Sequence, residues 1–231
     1  ALLAYLAAND FGYIPANQLI TRLFNTFGTL EKLERYRGHF YNWYDTKTLQ
    51  PLQNPIYISS VDSGNFAGHL LTLKAGLAEQ KNRPALTGRF AESLRDTLEL
   101  LKDEGGNRYR AHIAELDKKL TEFEKQVSPT LKQRYDVLND LVATLTSLVS
   151  VTQKDTGSDA SFWSNALLSQ CNQQLDEMAS LVPWVSLPSW RENPDLVPGL
   201  NEVMSLQPLS ELPERLFASF ESLNKTASEK E

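Results

Sequence analysis

The chain has 231 residues, 41% hydrophobic and 23% charged, the balance of a globular protein with a real core and room for one large domain or two small ones. A formal net charge of −6 and the lack of any dense Lys/Arg run argue against a nucleic-acid partner, which calls for a basic face. No stretch reaches the ~18 uninterrupted apolar residues of a membrane span, so no direct membrane contact is expected. The single cysteine, Cys171, excludes an internal disulfide and reads as a small buried hydrophobe.

The opening residues 1–8 are apolar and read as the end of a buried helix. No Ser, Thr, Asp or Pro starts it and no initiator Met precedes it, so the expectation is a chain that begins inside something longer. Asn9 to Tyr13 supplies turn chemistry. Pro15 then opens a second helix at the first-turn position that proline tolerates. Its residues Leu19, Leu23, Phe27, Leu30 and Leu33 form one stripe. Lys32, Arg35 and Arg37 suit its C-terminal end, and Gly38 the position just past the last turn. His39 to Tyr44 predicts an extended segment, and residues 46–55, with Pro51, Asn54 and Pro55, a loop. Residues 56–60 are expected to return as the second arm of a small β-hairpin. A third helix follows from Val61, capped by Asp62 or Ser63, with Phe66, Leu70, Leu73 and Leu77 on one side.

Asn82-Arg83-Pro84 marks a boundary between residues 1–84 and 85–231. Leu86, Phe90, Leu94, Leu98 and Leu101 predict a helix stopped by Gly105-Gly106. Ile113, Leu116, Leu120, Phe123 and Val127 predict another, and Leu131 to Leu148 a third. Between these two, Ser128 is expected as cap and Pro129 as first helical residue, giving two helices rather than one kinked helix. Glu115, Lys118, Lys119, Glu122 and Glu124 read as a solvated face. Gly157-Ser158-Asp159 separates a helix over 160–181. An irregular Pro/Trp-rich segment, 182–208, carries Trp184 and Trp190 as packing residues. A last helix over 209–223 runs into a polar tail. The expected fold class is all-α: a helical segment with a small β-hairpin, then an antiparallel helical bundle.

Chemistry-bearing residues concentrate in one stretch. It runs Leu33-Glu34-Arg35-Tyr36-Arg37-Gly38-His39-Phe40-Tyr41-Asn42-Trp43-Tyr44-Asp45-Thr46, then Tyr57-Ile58-Ser59-Ser60-Val61-Asp62-Ser63-Gly64-Asn65-Phe66-Ala67-Gly68-His69-Leu70. This pattern resembles the bacterial cyclic β-1,2-glucan synthases, which carry a closely matching Gly-His-aromatic block ending Asn-Trp-Tyr-Asp-Thr, followed by Val-Asp-Ser-Gly-Asn. The resemblance covers about residues 1–80; beyond that only a helical texture and the Leu181-Val182-Pro183-Trp184 step are similar. It implies a large inner-membrane enzyme that builds linear β-1,2-glucan from UDP-glucose. A soluble middle region, related to (α/α)6-toroid glycoside hydrolases, closes the ring by transglycosylation. A phosphorylase-like region controls chain length.

By the same resemblance residues 1–84 are the start of that toroid, on the cytoplasmic side of the inner membrane. The acid/base carboxylates are expected in the later half of that toroid, beyond the end of this chain, so this chain is expected not to catalyse alone. Its partners are expected to be β-1,2-glucan, the other domains of the parent and, through apolar surface left uncovered near residues 1–36, another copy of itself.

Tyr41, Trp43 and Tyr44 are candidate stacking platforms, since aromatic faces suit the C–H faces of glucose. The competing reading is that alternate members of an extended segment point into a core. Asp45, Asp62 and Asn65 are candidate partners for sugar hydroxyls, with a helix cap as the plain alternative for Asp62. A glycosidase pair of Asp45 and Asp62 would need a specific separation across the scissile bond, which sequence does not give. His39 and His69 lack metal-ligand spacing, so no metal and no cofactor is expected. The rival to a glucan-binding role is a non-catalytic helical spacer linking the membrane transferase to later domains.

Overall fold

The computed structural model describes residues 1–52, 56–105, 108–154, 159–195 and 197–228. Asn54 and Pro55 of the expected loop, Gly106, the separators Gly157 and Ser158, and residues 229–231 of the tail lie outside the described residues. The described residues form nine α-helices and one two-stranded hairpin, an all-α protein with a small β-hairpin. They divide into two compact units, Ala1–Ala78 and Glu79–Glu231.

In the first unit α1 (Leu2–Asp10) packs on α2 (Ala16–Lys32). Asn9 Nδ2 donates to Ile14 O at 2.9 Å and holds the turn between them. Pro15 is extended at φ −73°, ψ 169° and stands just outside α2 rather than in its first turn. Leu2, Leu19 and Leu23 meet Leu73 of α3 (Ser60–Gln80) in a small core, flanked by half-buried Leu3, Tyr5, Leu6 and Phe27. This core buries only part of the apolar surface: on the other face of α2, Ile20 is 60% and Phe24 77% exposed.

The hairpin forms, but with a different partner from the one expected. β1 (Arg35–Tyr36) pairs antiparallel with β2 (His39–Phe40), in register Arg35↔Phe40 and Tyr36↔His39. Arg37 and Gly38 between them have φ of 51° and 88°. Positive φ at both central residues is the two-residue turn whose twist matches a hairpin. Gly38 therefore serves this turn and not a helix end, and α2 stops earlier, at Leu33, which is extended. Closing a two-residue loop costs less chain entropy than closing one across residues 46–55.

The second unit contains α4 (Phe90–Gly105), α5 (Arg110–Glu124), α6 (Leu131–Thr152), α7 (Asp159–Leu181), α8 (Pro188–Glu192) and α9 (Leu206–Ser228). α7 packs on α4 and α6, and α5 on the same two. Leu98, Leu148 and Cys171 are wholly buried at the centre, and burial pushes the Cys171 thiol up to about 12. α5 and α6 are separate helices, but the cap is Thr130, not Ser128. The Thr130 hydroxyl accepts from Gln133 N, and Gln133 Oε1 accepts from Thr130 N, a reciprocal capping box. Ser128 has φ 53°, and Val127, expected in the apolar stripe, is 94% exposed.

The charged face of α5 is more than solvated. Lys119 Nζ bridges Glu115 at 3.1 Å and Asp140 of α6 at 2.9 Å. Glu124 and Asp117 clasp Arg95 of α4 at 2.7 and 2.9 Å. The Pro/Trp-rich segment is not wholly irregular: a 3-10 turn at Pro183–Ser186 and the short α8 bury Val185 and Trp190. Trp184 Nε1 donates to Leu200 O at 3.0 Å. α9 begins at Leu206, before residue 209, and tolerates Pro208 in its first turn, where a missing N–H costs nothing. Among the described residues no helix is long and apolar enough to cross a membrane.

Candidate functional site

A cavity of about 790 Å³ opens in the first unit between the hairpin, the following loop and the start of α3. That is within the ~300–1,000 Å³ typical of ligand clefts. Its apolar wall includes Leu30, Leu33 and Leu70, with Phe40 edge-on to Phe66 at 5.5 Å between ring centroids. The Arg35 guanidinium lies over the Phe40 ring, 5.0 Å from its centroid. The polar wall is His39, Asn42, Asp62 and Ser63.

Local chemistry fixes these groups. Ser59 caps α3: its hydroxyl accepts Asp62 N at 3.0 Å. Neither Asp62 nor Ser63 is the cap. Asp62, released from that duty, accepts from Asn42 Nδ2 at 3.0 Å through Oδ2. The Ser63 hydroxyl donates to Ser59 O at 2.9 Å, so it accepts from His39 Nδ1, 3.0 Å away.

The six candidate residues divide. Tyr41, Tyr44 and Asp62 lie in the cavity wall, while Trp43, Asp45 and Asn65 do not. Tyr41 and Tyr44 meet edge to face, centroids 6.2 Å apart. The Tyr44 hydroxyl accepts Tyr41 N at 2.9 Å and donates to Glu34 O at 2.7 Å, pinning the ring. Burial holds its pKa above the ordinary phenol value. Asp45 Oδ1 accepts from Thr48 N at 2.7 Å, Lys47 N at 2.9 Å and Thr48 Oγ1 at 3.0 Å. Those bonds, the Thr48 amide first, hold its carboxyl below the ordinary carboxylate range. They close a tight loop in which Asp45 N also bonds Gln50 O and Leu52 N bonds Trp43 O. Trp43 is 52% exposed beside Tyr57. Asn65 is exposed on α3 next to Gly64 of the wall.

Sequence reasoning missed Asn42 and gave His39 no role. Asn42 is the hinge of the site: its N–H bonds Tyr57 O at 2.9 Å, its Oδ1 accepts Ser59 N at 3.0 Å, and its Nδ2 holds Asp62. The available signal was its place inside the aromatic block, one residue before Trp43.

No family profile matches the chain. Over 111 residues, 45% of its length, it is 39% identical to the cyclic β-(1,2)-glucan synthase NdvB of Rhizobium meliloti (strain 1021). The matched stretch spans 4% of that protein. Over less than half of its length, the chain is therefore similar to a small part of a cyclic β-(1,2)-glucan synthase.

Proposed function

We propose that the first unit contributes a β-1,2-glucan-binding site to the region of such a synthase that joins linear glucan into a ring by transglycosylation. The observation that carries this reading is one cavity lined by two aromatic residues, Tyr41 and Tyr44, and a positioned carboxylate, Asp62. Ring faces stack on the C–H faces of glucose, and an ionised carboxylate takes hydroxyl hydrogens. Asp62 Oδ2 is already engaged by Asn42, which leaves Oδ1 for a ligand. Asn65 extends the polar rim, and Asp45 acts by holding the loop that presents Tyr44.

The chain does not catalyse alone in this account. Acid/base work on a glycosidic bond uses two carboxylates, and among the described residues Asp62 is the one carboxylate in the cavity wall. Other domains of the parent supply the reacting groups, on the cytoplasmic side of the inner membrane. The spacer reading suits the second unit better than the first. Its leucine core and its ion pairs between α4, α5 and α6 make a firm helical block.

Calorimetric titration with linear glucans of equal length and different linkage tests the proposal. Saturable binding of β-1,2-linked chains, and weaker or no binding of β-1,3- and β-1,4-linked ones, is expected. Equal binding of all three, or none, overturns it.

A further inference from the structure

We infer that the site takes a run of sugars rather than one, with Trp43 and Tyr57 forming a second stacking ledge just outside the cavity; this rests on the reading of the cavity as glucan-binding. Trp43 and Tyr57 are 52% and 51% exposed. Their ring centroids are 6.0 Å apart and their planes differ by 31°. Neither ring is in the cavity wall.

The backbone presents this pair. Trp43 O accepts Leu52 N at 3.1 Å, and Tyr57 O accepts Asn42 N at 2.9 Å. The backbone under both large rings is thus held, and the rings are left half in water, where their exposed apolar area gains nothing from the fold. The residue that fixes Tyr57 is the same Asn42 whose side chain holds Asp62 in the cavity. Ledge and cavity therefore share one anchor and adjoin. The occupant that continuity selects is the part of the same glucan that leaves the cavity.

The test is calorimetry on the full 231-residue chain with a β-1,2-linked disaccharide and a longer linear β-1,2-glucan. One stacked sugar contributes on the order of a tenfold gain in affinity, so the longer chain is expected to bind about tenfold more tightly. In Trp43→Ala and Tyr57→Ala this ratio is expected to fall towards one, while Tyr57→Phe, which keeps the ring, retains it. Melting curves check that the variants fold, and Trp43→Phe serves if Trp43→Ala does not.

A ratio near one in the unaltered chain, or a ratio untouched by both alanine variants, overturns the ledge. The cavity reading then stands if Asp62→Asn still weakens both ligands. Failure of every oligomer to bind overturns both. Sedimentation without sugar covers a rival occupant: a dimer that Trp43→Ala dissolves makes the ledge a contact between copies and overturns the inference.

Discussion

Asn42 donates its side-chain amide to the Asp62 carboxylate at 3.0 Å, and the same side chain accepts the Ser59 N–H at 3.0 Å. One loop residue thus ties both the cap and the first turn of α3. Asn42→Ala leaves the half-buried Ser59 N–H without its partner, at a cost of about 1 kcal/mol. Amide exchange at Ser59 is expected to speed up about fivefold. An unchanged exchange rate would show that the bond does not hold the helix start.

Two glycines of α3 give opposite predictions. A Cβ on Gly64, in the cavity wall, meets nothing, whereas one on Gly76 runs into Leu6. Alanine is favoured over glycine inside a helix by about 1 kcal/mol. Gly64→Ala should therefore stabilise the first unit and still weaken glucan binding, because the added methyl occupies cavity space. Gly76→Ala should give no such gain, since Leu6 must move. Thermal melts and titrations of both variants check this; tighter binding by Gly64→Ala contradicts the cavity reading.

Asp117 gives the second unit a pH signature. The Lys102 ammonium at 3.0 Å, helped by Arg95, holds its carboxyl below the ordinary value of 3.8. A carboxyl depressed on folding stabilises the fold above its unfolded pKa, and that contribution is lost as pH falls through the folded value. Asp117→Asn should lower the melting temperature at neutral pH, and the gap should close as pH drops below about 4. A gap that persists undiminished in acid contradicts the assignment.

The cap of α6 can be tested against the plainer sequence expectation. Thr130→Ala removes a capping box and should cost about 1 kcal/mol. Ser128→Ala removes no cap, and Ser128→Gly should stabilise slightly, because glycine accepts the φ of 53° there more readily than any side chain. Urea unfolding of the three variants decides between Thr130 and Ser128.

Long-period features were legible in the sequence. The leucines at 94, 98 and 101 and at 138, 141, 145 and 148 lie buried on helices where periodicity put them, because burying apolar area outweighs local detail. Element ends were less so. Gly38 suited a helix end as well as a hairpin turn, and only the pairing of Arg35 with Phe40 selects between them. Ser59, Asp62 and Ser63 are all good capping residues, so which one caps depends on what else reaches them; Asn42 and His39 take the other two. The aromatic block contains several of the residues that line the cavity. It did not separate Tyr41 and Tyr44, in the wall, from Trp43 outside it, since β2 ends at Phe40 and the chain bends at Asn42, where strand alternation no longer holds.

The central claim is that Asp62, held by Asn42, binds glucan hydroxyls in the cavity. Titrating the chain and its Asp62→Asn variant with linear β-1,2-glucan tests it most directly. The amide keeps an oxygen for Asn42 but loses the charge, so the melting temperature should hold while affinity falls about tenfold, the difference between a charged and a neutral acceptor. Equal affinity of the two proteins at equal stability would contradict the account.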